Sequence, residues 1–334
     1  MSIIHCILHR FAREPDGVTQ RLDLSERSLS ENEASAGLLD TLSARFNGKP
    51  RLWGGFATEG EEHAFAVQLG AYLGGELDFV AFSRQAAERL ASLMRASEQP
   101  RDGQLVMLHT KRGEVEQLWI ALLPEGETLG VDEQGELVAR RTLNFNAFDL
   151  AARVELHEWR AGETRRYLSV VKRRGLKREA DDFSRWLGLV EPVDGAETTR
   201  ALLEAFEGYA VDEGWSAEQR RDKREQLTDQ LGEHASRGER APLETLAAAL
   251  DDARPEAFVD YLSRGDHAIE HDVPTDRRTL GSFRRYTGRA GGLSISFDTT
   301  LLGSQVEYDA GGERLIIRGL PKKLKEQLER RDGE

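Results

Sequence analysis

A single cysteine, Cys6, in 334 residues removes two chemistries at once. No intrachain disulfide can form and no thiolate zinc site can assemble within one chain, which suits a reducing compartment. Long apolar runs are missing as well: nowhere do the roughly 18 consecutive apolar residues of a membrane helix occur. The opening MSIIHCILHRF has no basic region ahead of its apolar residues and no small-residue cleavage site, so it reads as an entering β-strand rather than a leader. A general excess of positive charge is also lacking, with 46 Lys and Arg against 59 Asp and Glu and a net charge of -13. Any polyanion must therefore be met by a local surface, not by the molecule as a whole. Internal repeats and low-complexity linkers are absent.

What is present is an uneven distribution of that charge. Residues 1–150 hold 15 basic and 23 acidic side chains, residues 151–273 hold 19 and 27, and residues 274–334 hold 12 and 9. Within the last segment Arg277, Arg278, Arg284, Arg285 and Arg289 crowd together just before a glycine cluster. Positive charge gathered on an acidic chain is where an anionic partner such as nucleic acid would dock, through binding that weakens steeply with salt. The competing reading is a solvated surface paired to neighbouring acids. A second cluster, Arg165, Arg166, Lys172, Arg173, Arg174, Lys177 and Arg178, contains no acid and is interleaved with Tyr167, then followed by Phe183 and Trp186. Cations with aromatics can grip phosphates and stack on bases; alternatively the aromatics are core and the cations line one helix face.

Periodicity supplies a coarse element map. Ile3 to Phe11 reads as a strand, with Val18 to Leu24 pairing to it across Glu14-Pro15-Asp16-Gly17. Ser30 is the expected cap of a helix running to Phe46, and Phe79 to Ala96 is a second amphipathic helix. Gln104–His109 and Val115–Leu123 form the clearest hairpin, with further strands at Leu137–Leu143 and Ala151–Leu156. Gly188 to Ala196 is the most linker-like piece. Residues 196–262 read as helices, one capped by Ser216 and two opened by Pro242 and Pro255. The last module reads as a helix from Asp276 to Tyr286, a glycine turn, strands at Leu293–Phe297, Gln305–Asp309 and Arg314–Ile317, and a basic helix from Pro321 to Arg331.

The stretches Asp276-Arg277-Arg278-Thr279-Leu280, Tyr286-Thr287-Gly288, Gly291 to Asp298, Leu301-Leu302-Gly303 and Leu315 to Gly319 together resemble the C-terminal signature of the bacterial 37-kDa nucleoid-associated proteins, the NdpA/YejK family. Upstream, Asp78 to Arg84, Val154-Glu155-Leu156 with Glu158-Trp159, and Arg166-Tyr167-Leu168 fall in that family's order, so the resemblance covers nearly the whole chain. It implies a cytoplasmic protein of the bacterial nucleoid that binds double-stranded DNA, with single-stranded RNA as a further ligand. It also allows recruitment to the nucleoid through topoisomerase subunits or other DNA-associated proteins. It carries no catalytic residue over to this chain.

Candidate chemistry is thin. His5 and His9, the polar group Asp266, His267, Glu270, His271 and Asp272, and the set Glu155, His157 and Glu158 each invite a metal, and each has an ordinary structural explanation. Gly288 to Gly292 leaves a predicted helix and enters a strand, the reverse of a phosphate-binding loop. Gly288 is then expected to be the left-handed residue closing that helix. The expectation is an α+β protein: an N-terminal antiparallel-rich α/β domain over 1–160, a mainly helical region over 161–273, and a basic helix-strand module over 274–334. Its function would be sequence-independent binding of double-stranded DNA through phosphate contacts, with no catalysis, cofactor, metal or membrane. The expected contacts are Arg277, Arg278, Arg284, Arg285, Arg289, Lys172, Arg173, Arg174, Lys177 and Arg178. The alternative is a protein-interaction module, and a homodimer would suit a protein that bridges DNA.

Overall fold

The computed structural model describes residues 2–16, 19–98, 101–162, 164–172, 177–265, 269, 271–309 and 311–331. The chain divides into two compact units, one made of residues 1–199, 234–240 and 272–277 and the other of 200–233, 241–271 and 278–334. Both mix α and β structure, and the long sheet lies in the N-terminal part, the short strands in the C-terminal part.

In chain order the elements up to residue 194 are β1 (Ser2–Arg13), β2 (Gln20–Asp23), α1 (Glu33–Asn47), β3 (Arg51–Phe56), α2 (Ala64–Leu73), α3 (Phe79–Ala96), β4 (Gly103–Arg112), β5 (Val115–Leu123), β6 (Glu125–Val131), β7 (Leu137–Leu143), β8 (Leu150–Glu155), α4 (Leu156–Ala161), β9 (Leu168–Val171), α5 (Lys177–Leu187) and β10 (Leu189–Asp194). Eight of these strands form one sheet in the order β10-β3-β9-β8-β5-β4-β1-β2, every neighbouring pair antiparallel. Its central strands are apolar on both faces. Leu105, Met107, Leu118, Ile120 and Leu122 pack toward the core that includes Phe65, Phe82, Leu90 and Trp186, while Val106, Leu108, Trp119 and Ala121 pack toward Leu39, Leu42 and Phe46 of α1. Period-two alternation between two buried faces explains why β4 and β5 read as nearly continuous apolar runs.

Two local expectations are corrected here. The cap of α1 is Asn32, not Ser30: its side chain accepts from the Ser35 N–H at 2.9 Å, while the Ser35 hydroxyl receives the Asn32 N–H at 2.9 Å. A shorter entry suffices because Asn32 and Ser35 close the capping box between themselves. Gly188 to Ala196 is not a linker. Leu189–Asp194 is the edge strand β10, held to β3 through Leu189 opposite Phe56 and Asp194 opposite Leu52. The segment lacks a clean alternation because its register shifts between Val190 and Val193.

Charged side chains are buried in this unit as well. Arg153 is 1% exposed and forms a 2.6 Å ion pair with Glu155, with its guanidinium 5.1 Å from the Trp119 ring centre. Arg51, also buried, and Arg153 both donate to the Gly238 carbonyl, at 3.1 and 2.5 Å. Loss of water, followed by the neighbouring Arg153 charge, pulls the Arg51 guanidinium down to about 9. Arg240 closes the same region by pairing with Glu158 and Asp272 at 2.5 and 2.8 Å.

The remaining elements are α6 (Gly195–Asp212), α7 (Ala217–Arg237), β11 (Arg240–Pro242), α8 (Leu243–Leu250), α9 (Pro255–Arg264), β12 (Asp272–Pro274), α10 (Arg277–Phe283), β13 (Arg285–Ala290), β14 (Leu293–Asp298), β15 (Val306–Asp309), β16 (Arg314–Ile317) and α11 (Lys322–Arg331). Ser216 caps α7 as its sequence predicts, accepting from the Gln219 N–H at 3.2 Å. Leu227 and Leu231 are the thin apolar stripe of that helix, and both are fully buried in the second unit with Leu202, Phe206 and Tyr209. Tyr209 stands 5.2 Å from Phe258 and 5.3 Å from Tyr261, ring centre to ring centre. No helix among the described residues is long and apolar enough to cross a membrane.

Candidate nucleic-acid interface

The arginine-rich segment is built on a turn. Gly291 and Gly292 sit at φ +54° and +84°, the left-handed region that a two-residue hairpin turn of the primed type demands at both central positions. With the turn fixed there, β13 pairs with β14 from Ala290 opposite Leu293 back to Arg285 opposite Asp298. The expected helix to Tyr286 therefore ends early, at Phe283, and Gly288 is an ordinary strand residue opposite Ile295 instead of a left-handed helix terminus. Aromatic Tyr286 and β-branched Thr287 favour a pleated surface, and their partners Phe297 and Ser296 are already committed by the turn.

Strand alternation then sorts the side chains. Arg285, Thr287 and Arg289 share one face with Ser294, Ser296 and Asp298, and Tyr286, Gly288 and Ala290 share the other with Leu293, Ile295 and Phe297. Arg285 donates from Nε to the Ser296 hydroxyl at 3.0 Å, and Arg289 from Nε to the Ser294 hydroxyl at 3.3 Å. Both arginines are exposed. Their bonds to neutral hydroxyls hold the guanidiniums over the ribbon without cancelling the charge. On the opposite face the Tyr286 and Phe297 rings lie 5.3 Å apart.

The other expected contacts separate into distinct environments. Arg284 is ion-paired to Asp229 of α7, so its charge is already met. Arg278 is exposed on the first turns of α10; Arg277, also exposed, is counted with the first unit. A cavity of about 710 Å³ in the second unit brings Arg284 beside Arg220, Arg221 and Arg224 of the highly charged helix α7. Glu207, Glu225 and Asp229 line it too, and Arg224 is ion-paired with Glu207, so this hollow is mixed in sign. Spacing offered one signal: Arg220 and Arg224 are four apart and lie on one side of α7. Nothing local linked them to Arg284, some sixty residues on.

The second basic cluster has less to offer in its visible part. Arg166 is 7% exposed and donates to the Asp272 carbonyl at 3.1 Å, and the Tyr167 hydroxyl accepts from the Phe56 N–H at 3.0 Å. Lys172 is ion-paired with Asp194. Arg173 and Arg174 lie outside the described residues, and Lys177 and Arg178 open α5. Phe183 and Trp186 are core residues, with the Trp186 Nε1–H donating to the Ala86 carbonyl at 3.0 Å. They are not a stacking platform.

The imagined metal sites take structural roles where they are visible. His9 is buried against Ser83, His5 stacks on Phe79 with ring centres 4.9 Å apart, and Glu155 and Glu158 are paired to Arg153 and Arg240. Asp266, His267 and Glu270 lie outside the described residues. Among the described residues no three His, Cys, Asp or Glu side chains are grouped to hold a metal ion.

Comparison with known proteins supports the resemblance carried by the C-terminal segment. The family described as "Nucleoid-associated protein YejK" matches residues 7–325. A nucleoid-associated protein of Pseudomonas paraeruginosa is 39% identical over 335 residues, covering 100% of this chain and 98% of its own length. One from Azotobacter vinelandii is 40% identical over 337 residues, with both chains covered in full. One from Pseudomonas savastanoi is 38% identical over 333 residues, or 99% of this chain and 100% of its own. At this identity along its whole length, the chain belongs to the YejK family of nucleoid-associated proteins.

Proposed function

We propose that this protein is an architectural component of the bacterial nucleoid that binds double-stranded DNA directly, through phosphate contacts and without base-sequence preference. The observation that carries the reading is the exposed Arg285–Arg289 face, whose cations are bonded to the neutral Ser294 and Ser296 hydroxyls and the Ser296 carbonyl on a chain of net charge -13. Arg277, Arg278 and Arg284 extend the cationic contribution, Arg284 after exchanging Asp229 for a phosphate, and Lys172, Arg173, Arg174, Lys177 and Arg178 form a second contact segment. Phosphate contacts position a protein on the duplex without reading its sequence. RNA is a further ligand of the same chemistry, and the role requires no catalytic step.

A mobility shift with random-sequence duplex across a salt series tests this. With about four phosphate contacts, affinity should fall roughly a hundredfold between 50 and 200 mM salt. Charge reversal at Arg278, Arg284, Arg285 and Arg289 should weaken binding and flatten that slope. Unchanged binding after reversing both basic clusters would remove the assignment. A second reading, recruitment through topoisomerase subunits or other DNA-bound proteins, draws on the exposed apolar tip of the β6–β7 hairpin, where Leu129, Val131 and Leu137 are 78%, 63% and 73% exposed. Partners retained from nuclease-treated lysate, with no shift of naked duplex, would favour it.

A further inference from the structure

The β13–β14 ribbon leaves one of its edges open. The Thr299 N–H donates to the Arg284 carbonyl at 2.8 Å, which makes Arg284 and Thr299 a hydrogen-bonded pair. Such pairs alternate along an antiparallel ladder. Tyr286–Phe297, Gly288–Ile295 and Ala290–Leu293 are therefore the bonded pairs, and the N–H and C=O of Ser294 and Ser296 point away from β13. Both serines are exposed, and β13 and β14 form a sheet of two strands. The Ser296 carbonyl accepts from an Arg285 nitrogen at 3.4 Å, a long contact. Among the described residues the main chain of either serine has no other partner.

The residues of that edge supply the second observation. Leu293-Ser294-Ile295-Ser296-Phe297 carries no charge and no proline, two devices that keep free edges from pairing, whereas β13 carries Arg285 and Arg289. Its polarity also reads the same in both directions about Ile295. A second copy laid antiparallel across a two-fold axis at Ile295 sets Leu293 opposite Phe297, Ser294 opposite Ser296 and Ile295 opposite itself. In that register the outward groups of Ser294 and Ser296 fall into hydrogen-bonded pairs on both sides of the axis, and apolar side chains meet apolar ones. We propose that two copies of this chain join through β14 in this register, giving a four-stranded sheet in the order β13-β14-β14-β13. The axis is perpendicular to that sheet, so the Arg285 and Arg289 faces of both copies lie on one side and offer four guanidiniums to a single duplex. On the other side Leu293, 61% exposed in the single chain, gains Phe297 of the second copy as a neighbour. The dimer is independent of DNA; its use on one duplex rests on the direct DNA-binding reading.

Sedimentation velocity of the full chain without nucleic acid tests the dimer. So short an edge buries less than the ~1,200 Å² of a tight interface, and association should set in on the order of 10 μM. Ile295→Lys, which sets two ammonium groups on the axis, should sediment as a monomer at every concentration with an unchanged circular dichroism spectrum. The native thiol, Cys6, is fully buried, so an introduced one reports alone. A pair that is not hydrogen-bonded, such as Ile295 on the axis, has its Cα atoms ~4.5 Å apart, within disulfide reach. With oxidised glutathione, Ile295→Cys should therefore form linked dimers at least ~10-fold faster than Ser294→Cys, whose side chain lies opposite Ser296 of the second copy. A wild type that stays monomeric at ~100 μM, a dimer untouched by Ile295→Lys, or equal linking by the two thiols would overturn the inference. Linked and reduced Ile295→Cys protein, compared by mobility shift at nanomolar concentration, should differ about twofold in salt slope. Equal slopes would overturn the shared face alone, and no shift by either form would overturn the DNA-binding reading while leaving the dimer standing.

Discussion

His9 makes the stability of this protein fall with acid in a window that can be assigned to one ring. The side chain is fully buried; the Ser25 N–H donates to Nδ1 at 3.2 Å, and Nε2 faces the Ser83 hydroxyl at 3.0 Å. That hydroxyl itself donates to the Val80 carbonyl at 2.9 Å, so the neutral tautomer with the proton on Nε2 satisfies every group. A second proton would have to sit on Nδ1, against the Ser25 N–H. Burial first, and the nearby Arg84 charge second, pull the imidazole down to about 4. In the unfolded chain it titrates near 6.5, so as pH falls the unfolded state takes the proton first. The stabilisation is complete above pH 6.5 and is lost progressively down to pH 4, where the folded ring also protonates; the whole is worth about 3 kcal/mol. Urea unfolding at pH 7, 6, 5 and 4.5 measures it. His9→Gln, which cannot titrate, should cost about 1–2 kcal/mol at pH 7 and lose correspondingly less on acidification. His5 and His109 are shifted in the same direction, and the comparison with the variant subtracts their contribution. Parallel loss of stability in wild type and His9→Gln would refute the argument, as would a ring resonance for His9 titrating near its ordinary value.

Two further substitutions probe the buried arginine network. At Gly238 (φ +71°) an added Cβ would lie 2.1 Å from the Asn47 Oδ1 and 2.9 Å from an Arg51 nitrogen, and the carbonyl serves two buried guanidiniums. Gly238→Ala should therefore destabilise by about 3 kcal/mol or more in urea titration, and a loss under 1 kcal/mol would mean the segment is not clamped. Arg240→Met keeps the volume but strands Glu158 and Asp272 without their cation. A melting transition lowered by the equivalent of about 3 kcal/mol is expected, with no change if solvent already screens the pair.

The fold was legible wherever a segment's neighbours were local. The β4–β5 hairpin, α3 and the two proline-opened helices carry their own turn, cap and periodicity, and each lies within a few residues of its expected position. Legibility failed where long-range pairing overrode a weak local pattern. Leu189–Asp194 has two glycines at its flanks and a proline inside, yet β3 recruits it as an edge strand where a proline is tolerated. The stretch Arg284 to Gly288 has a helix before it, and only the Gly291-Gly292 turn, read as a hairpin rather than a sheet entry, would have assigned it to a strand.

The candidate interface was legible in composition but not in geometry. Crowding on the sequence singled out Arg284, Arg285 and Arg289 together, whereas pairing to Asp229 takes the first out and strand alternation leaves the other two on a common face. Net charge misleads in the same way, because it assigns one sign to a molecule whose field is local. At physiological ionic strength exposed charges are screened over about 8 Å, while four strand residues separate Arg289 from Arg285 by ~13 Å. The tip arginine therefore stands more than a screening length beyond the acid at the ribbon's base, Asp298, and meets a phosphate almost as it would on a neutral protein. Lowering the salt lengthens that distance and lets the acidic residues of the chain oppose the ribbon. The log–log plot of affinity against salt should then bend toward weaker binding at about 0.01 M, where the screening length reaches ~30 Å. A plot that stays linear to that concentration would show that the acidic residues lie too far from the bound duplex to act on it.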